Sequence, residues 1–312
     1  MTKTNSVHEI LSKDLSKLSK VELTEMRRNG LIQQRDPKFF ICRLSIPAGI
    51  LTAEQLETIS KLANEYGNGE VHISTRQGIQ IPWVPYERLG EIQEKLKENG
   101  TPTWGCGPTI RNIIACPGYP ECRNANIDTR KLAYKIKDFI DEMELGHNLK
   151  GKFKIAIAGC PNSCANVYSN DVGIVGVIRP RVNEEICNGC KVCVAICKEK
   201  AISIINEKAI IDFEKCVYCG DCIRLCPFDA IEPEKEGFNI FLGGKQGRHP
   251  SLAKKLVEFA DEDTVLSIIE GAVKVFEKEG LADGVRKERF GALVERLGFD
   301  EMRSLLCGEE DE

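Results

Sequence analysis

The sequence has no apolar run approaching the roughly 18 residues that a membrane span requires. Its opening segment, MTKTNSVHEILSKDLSKLSK, is polar and lacks the apolar stretch of a secretory signal. Neither sign of charge is in excess: 43 Lys and Arg against 47 Asp and Glu leave −4, so bulk electrostatics do not point to nucleic acid. No G-x-G-x-x-G is present, so nothing suggests a flavin or nicotinamide fold. A composition of 42% hydrophobic and 29% charged residues excludes a disordered or collagen-like chain. At 312 residues the expectation is about two soluble domains in the cytoplasm. Against these absences stand 15 cysteines, an odd number. In a reducing compartment clustered thiols read as metal ligands before disulfides.

Eight of them form an internal repeat. Cys187, Cys190, Cys193 and Cys197 are followed by Cys216, Cys219, Cys222 and Cys226 with the same gaps. Each C-x2-C-x2-C-x3-C run has bacterial ferredoxin spacing, in which the fourth cysteine ligates the other cluster. One [4Fe–4S] cluster would take Cys187, Cys190, Cys193 and Cys226; the other would take Cys216, Cys219, Cys222 and Cys197. Pro227 follows Cys226 as the pattern expects, whereas Lys198 follows Cys197. A zinc ribbon would use two C-x2-C pairs rather than two triplets. Charged stretches at 179–185 and 232–237 border the repeat, as expected of an inserted module over 184–235.

Two further pairs lie outside it, Cys116 with Cys122 and Cys160 with Cys164. Four thiolates can hold one more cubane, with zinc as the alternative. Neighbouring Gly and Pro permit tight turns around a bulky group. Cys42, Cys106 and Cys307 have no spaced partner and read as buried thiols.

Hydrophobic periodicity places these pairs in an α+β chain. Strands are expected from Phe39, at Val71–Thr75 and at Ile79–Trp83, with helices over 52–66 and 86–99. Thr52-x-x-Gln55 reads as the capping box of the first helix. A helix near 129–143 and a strand at 153–158 follow, then a strand at 238–242 and a helical segment over 251–306. Residues 1–35 read as a loosely held helical extension. The expected domains are therefore 36–103, then 104–183 joined with 236–312, with the insert between the latter two.

At this point the motifs resemble those of the siroheme-dependent sulfite and nitrite reductases. The likeness rests on C-x5-C followed by C-x3-C, Ser74-Thr-Arg-Gln-Gly, Arg111-Asn-Ile-Ile-Ala-Cys, Lys152-Phe-Lys and Gly243-Gly-Lys-Gln-Gly-Arg, and spans roughly 38–300. The compact size and the insert are most similar to the C-subunit type of anaerobic sulfite reductase and to small dissimilatory-sulfite-reductase-like proteins. The resemblance implies sulfite/nitrite reductase-type α+β domains with an inserted two-cluster ferredoxin domain and a helical C-terminus. It implies siroheme and three [4Fe–4S] clusters, with Cys164 serving both the core cubane and the siroheme iron. It makes Arg76, Arg111, Lys152 and Lys154 the basic residues of the substrate pocket. Lys152 and Lys154, two apart on a strand, share one face while Phe153 takes the other. Arg43, Thr75, Gln77, Asn112, Asn162, Lys245 and Arg248 become candidates for the siroheme carboxylates and their surroundings. Arg179 and Arg181 are either pocket residues or linker charges, and His72 reads as a packed strand residue.

The implied reaction is six-electron reduction of sulfite to sulfide. Nitrite to ammonia, or a non-catalytic siroheme or electron-transfer role, are the alternatives. Electrons would come from a ferredoxin or from partner subunits carrying flavin and iron–sulfur clusters. Lys154 and Cys160 are separated by a strand that sets their Cα atoms about 20 Å apart, beyond the reach of a lysine side chain. Cluster and lysines of one chain are thus expected to serve different sites, in a homodimer or a pairing with a related chain.

Overall fold

The computed structural model describes residues 7–283 and 286–308. Along the chain come α1 (Val7–Leu11), α2 (Lys20–Arg28), β1 (Leu31–Gln33), β2 (Phe39–Arg43), α3 (Ala53–Tyr66), β3 (His72–Ile73), β4 (Ile79–Pro85) and α4 (Leu89–Glu98). Then follow β5 (Ile114–Ala115), α5 (Thr129–Glu142), β6 (Ile155–Ala158), β7 (Val172–Val182), α6 (Val192–Ile196), β8 (Ile202–Ile205), β9 (Lys208–Ile211), α7 (Asp221–Arg224) and β10 (Ile231–Leu242). The last are β11 (Lys254–Ala260), α8 (Glu262–Glu279), β12 (Ala282–Asp283), β13 (Arg286–Lys287), α9 (Phe290–Leu297) and α10 (Phe299–Cys307). They fall into two compact units: Met1–Ile114 with Lys137–Ile155 and Ala272–Arg296, and Ala115–Ile136 with Ala156–Gly271 and Leu297–Glu312.

The first unit carries an antiparallel sheet in the order β1-β2-β4-β3. Thr52 and Gln55 form the reciprocal capping box that starts α3, and Ile59, Leu62, Ala63 and Tyr66 give the helix its buried stripe. Of the extension expected over 1–35, residues 1–6 lie outside the described residues, and 7–35 are not loosely held. Ile10, Met26 and Leu31 are each at most 1% exposed and belong to the same core as Phe40, Ile81 and Leu89. Strand β1 completes the sheet. The unit also contains Phe153, whose ring packs 5.0 Å from Phe290 and 6.4 Å from Phe276.

A five-stranded sheet, β11-β10-β7-β6-β5, lies at the centre of the second unit, its long β7 and β10 antiparallel from Val182–Ile231 to Val172–Leu242. The small β8–β9 hairpin and helices α6 and α7 occupy the turns of the cysteine repeat. The segment after the insert is not wholly helical as expected. Residues 254–260 form β11, paired with β10, because Leu256 and Ala260 are buried while the lysines at its start face outward. That alternation is nearer to period two than to 3.6. Within 272–296 the chain belongs to the first unit, so 236–312 is not one continuous piece of the second.

Candidate functional site

Two loops of the second unit carry the outer cysteines. Gly159 N–H donates to Cys116 Sγ at 3.0 Å, and Cys116 N–H donates to Ile157 O at 3.1 Å, so the residue before Cys160 is tied to the first cysteine of the other pair. Asn126 N–H donates to Gly159 O, and Cys122 N–H closes a turn on Gly118 O. Gly118 sits at φ +70° with Thr129 N 2.8 Å from where a Cβ would stand, so no other residue fits. Burial pushes the Cys116 thiol up; amides of Gly159 and Gly118 oppose this, while Cys160 and Cys164 lie close enough to add to the rise. Cys164 is exposed and Cys160 buried. Asn162, an expected siroheme contact, points its amide at Cys160 Sγ at 3.4 Å.

The repeat cysteines separate into the two crossed sets. Cys187, Cys190, Cys193 and Cys226 line one recess. Cys197, Cys216, Cys219 and Cys222 line another, a cavity of about 390 Å³ that also includes Pro161 and Asn162 of the C-x3-C loop. Amides point at the sulfurs: Ala209 to Cys187, Ala201 to Cys197, Tyr218 to Cys216 and Ala230 to Cys226, at 3.3–3.4 Å. Among the described residues no three His, Cys, Asp or Glu side chains converge as a single ion requires. A cubane takes each thiolate on a separate iron, so its ligands stand around a space instead. Burial pushes the Cys222 thiol up to about 12, with Cys219 and Cys216 adding to it. The second set is also bound to the outer-cysteine region, because Arg224 of α7 donates to Asn126 Oδ1 at 2.8 Å and Tyr218 O accepts from Ile178 N–H.

Basic residues gather in the first unit. Ile110 and Phe153 form a parallel bridge, and Arg111 N–H donates to Phe153 O at 2.8 Å. Bridged residues point to one side, so Arg111, Lys152 and Lys154 share the other. Both lysines are half-buried and Phe153 is fully buried, as their spacing implies. Arg76 differs from that expectation. Its guanidinium is turned to main-chain carbonyls, Nε at 3.1 Å and Nη2 at 2.6 Å from Asn112 O, and Nη2 at 3.0 Å from Ile155 O. Asn112 is likewise engaged, its side chain clamping Ile46 N, Ile46 O and Arg76 O. These bonds make both residues braces of the backbone.

Arg43, in contrast, belongs with Arg111. Burial lowers its guanidinium pKa, and the charges of Arg111 and Arg27 add to the drop while Cys106 offsets it. With its amide turned to accept, Gln80 meets Arg43 Nε at 3.1 Å and Nη2 at 2.7 Å. The remaining candidates are dispersed. Thr75 and Arg248 are exposed, Gln77 is half-buried at φ +56°, and Lys245 pairs its backbone with Ser251. Arg179 and Arg181 are ion-paired to Glu234 and Glu232, which makes them strand-edge charges. His72 and Cys307 are exposed rather than packed. Sequence reasoning missed the association of Cys106 with Arg27, Arg43 and Arg111, since spacing gives no signal for residues so far apart.

Comparison with known proteins gives a consistent answer. Residues 106–312 match the nitrite and sulphite reductase 4Fe-4S domain, and residues 32–99 match the nitrite/sulfite reductase ferredoxin-like half domain. A coenzyme F420-dependent sulfite reductase of Methanocaldococcus jannaschii is 34% identical over 284 residues, covering 90% of this chain and 44% of that enzyme. The chain therefore spans less than half the length of that relative. The C subunit of the anaerobic sulfite reductase of Salmonella typhimurium is 29% identical over 273 residues, 81% of this chain and 79% of the relative. In fold, the chain is similar to the crystal structure of dissimilatory sulfite reductase I, with a TM-score of 0.71 and 22% identity over 87% of this chain and 70% of the other. No helix among the described residues is long and apolar enough to cross a membrane.

Proposed function

The chain belongs to the nitrite and sulphite reductase family, and from that premise we propose that it is the siroheme-binding, iron–sulfur subunit of an enzyme reducing sulfite to sulfide. The observation that carries this reading is the common face of Arg111, Lys152 and Lys154 on paired segments, with Arg43 beside Arg111. A protein that only carries electrons has no use for such a face. Sulfite is an anion whose oxygens leave as water, so its site needs donors aimed at those oxygens and protons close by. The arginines supply paired N–H groups of fixed charge. The lysines supply mobile ammonium groups that hold protons beside the leaving oxygens.

Cys116, Cys122, Cys160 and Cys164 would hold the core cubane, with Cys164 also on the siroheme iron. The fit is supported by the amide aimed at Cys116 Sγ and by the exposure of Cys164, which leaves its sulfur accessible to a second ligand. The two crossed cysteine sets would hold the cubanes of the inserted ferredoxin domain. Bound together, these groups would supply six electrons to a substrate held at the haem. Cys197, Cys216, Cys219 and Cys222 stand nearer the C-x3-C loop, because they share a cavity with Pro161 and Asn162. The other set, with Cys190 exposed and Phe228 lining its recess, is the side on which a ferredoxin or a flavin and iron–sulfur partner would dock. The abundance of thiols suits a reducing cytoplasm.

The test is the cofactor content of anaerobically purified protein. A siroheme absorption spectrum with about thirteen irons per chain, twelve in cubanes and one in the haem, supports the proposal. About eight irons and no haem band would reduce the chain to its ferredoxin module.

A further inference from the structure

Arg88, Arg179, Arg181, Arg224 and Arg296 are each held by an Asp or Glu within ion-pairing distance. Arg43 and Arg111 are not. Both are half-buried, yet among the described residues no carboxylate pairs with either. Arg43 meets an amide instead. Strand β4 pairs with β2 so that Gln80 stands directly opposite Arg43, and directly opposed residues share a face. Ile79 and Ile81, on either side of Gln80, are buried in the core, which turns Gln80 and Arg43 to the other side of the sheet. With its amide turned to accept, the Gln80 oxygen takes Arg43 Nε at 3.1 Å and Nη2 at 2.7 Å. These bonds fix the plane of the guanidinium and leave Nη1 without an acceptor among the described residues. One loop links this arginine to Arg111: Trp104 N–H donates to Arg43 O at 2.8 Å, and Arg111 Nη1 donates to Gly105 O at 2.8 Å. Arg111 Nε is itself buried without an acceptor among the described residues, a donor still available to an anion.

We propose that Gln80 is a positioning residue of the anion pocket: it orients Arg43 through a neutral acceptor, so that the guanidinium keeps its charge for an anionic substrate. This rests on the reading of Arg43 and Arg111 as donors that meet that anion. A guanidinium taken partly out of water needs acceptors. A carboxylate is the usual one, because fork-shaped pairing satisfies geometry and charge together. A carboxylate here would also cancel the field that the pocket needs. The amide oxygen of Gln80 supplies the geometry alone. The two guanidinium groups repel each other, a cost to the empty pocket that an arriving anion offsets. That anion meets N–H groups already aimed, so little ordering remains to be done when it binds. Gln80→Glu reverses the balance: the fold gains an ion pair and the pocket loses a charge.

The experiment measures affinity and stability side by side, in oxidised holoprotein with no electron donor and at constant ionic strength. Titration calorimetry with sodium nitrite, an anion that does not titrate near neutrality, reads the affinity without turnover. A melting curve of the same protein without nitrite reads the stability. Gln80→Glu should weaken nitrite binding by at least about tenfold, since one opposite charge within about 4–6 Å shifts a charged group's equilibrium by roughly one to three decades. Its melting midpoint should equal or exceed that of wild type. Gln80→Ala should lower both affinity and midpoint, because Arg43 loses its acceptor and its aim. An unchanged nitrite affinity in either variant overturns the inference. So does a midpoint that falls with the affinity in Gln80→Glu, which would make Gln80 a packing residue. Siroheme-loaded protein that reduces sulfite yet gives either of these results keeps the reductase reading and loses this inference. A haem-free, inactive protein in which Gln80→Glu still separates affinity from stability sinks the reductase reading and leaves this inference standing.

Discussion

The amide of Gly159 donates to the sulfur of Cys116 across 3.0 Å, which joins the C-x3-C loop to the C-x5-C loop through the protein alone. Three residues support that bond. Gly159 has no room for a side chain, because a Cβ would lie 2.9 Å from Ala125 Cβ. Thr129 Oγ1 holds the Cys116 carbonyl at 2.6 Å, and Gly118 must lie close against Thr129.

Gly118→Ala should therefore displace the Cys116 loop and cost the core cubane. The strained φ and the close approach to Thr129 each oppose a methyl group. Iron should fall from about thirteen to about eight per chain as the haem band disappears, because the insert's two cubanes remain. Iron analysis with absorption spectroscopy checks this, and unchanged iron would contradict the assignment of Cys116.

Cys164→Ser removes a ligand assigned to both cubane and haem. Turnover should vanish while electron paramagnetic resonance still shows the two insert clusters. Retained sulfite reduction would show that Cys164 is not the shared thiolate.

Arg76 and Lys154 should separate into structural and catalytic effects. Arg76 makes three charge-assisted bonds to backbone carbonyls, so Arg76→Gln should lose about 2 kcal/mol or more of stability. Lys154→Gln should cost clearly less stability than Arg76→Gln. Its turnover should nevertheless fall by about 10²–10³, the usual loss of a transition-state donor. Denaturation midpoints and kcat for both variants decide. The opposite pattern would return Arg76 to the pocket.

Much of this was legible in the sequence because it resides in spacing. The two-two-three gaps specify which four thiols surround each recess, and Thr52-x-x-Gln55 marks the start of α3. Lys152-Phe-Lys reveals a polar and an apolar face without further information. What spacing cannot reveal is the competition for a side chain once the chain folds. Arg76 looks like any motif arginine until the carbonyls of Asn112 and Ile155 are seen to hold it. Strand β11 was hidden by its two lysines, and the hold on residues 7–35 by the short runs that supply Ile10, Met26 and Leu31. Arg27, Arg43, Cys106 and Arg111 meet only in three dimensions.

Strand β6 and Gly159 stand between Lys154 and Cys160, so one chain's lysines are expected to complete a partner's site. Co-expressed, differently tagged Lys154→Ala and Cys164→Ser chains, isolated as a mixed dimer, should recover about half of wild-type activity, because one of two isologous sites stays intact. A mixed dimer as inactive as either parent would place both residues in the same site.

The central claim, that this chain reduces sulfite, is tested most directly by turnover with a reduced viologen dye, sulfite and nitrite being compared under the same conditions. The account predicts sulfide as the product, six dye electrons consumed per sulfite, and a higher kcat/KM for sulfite than for nitrite. Ammonia formation with the larger kcat/KM for nitrite, or no turnover of either anion by a protein carrying its full siroheme, would contradict it.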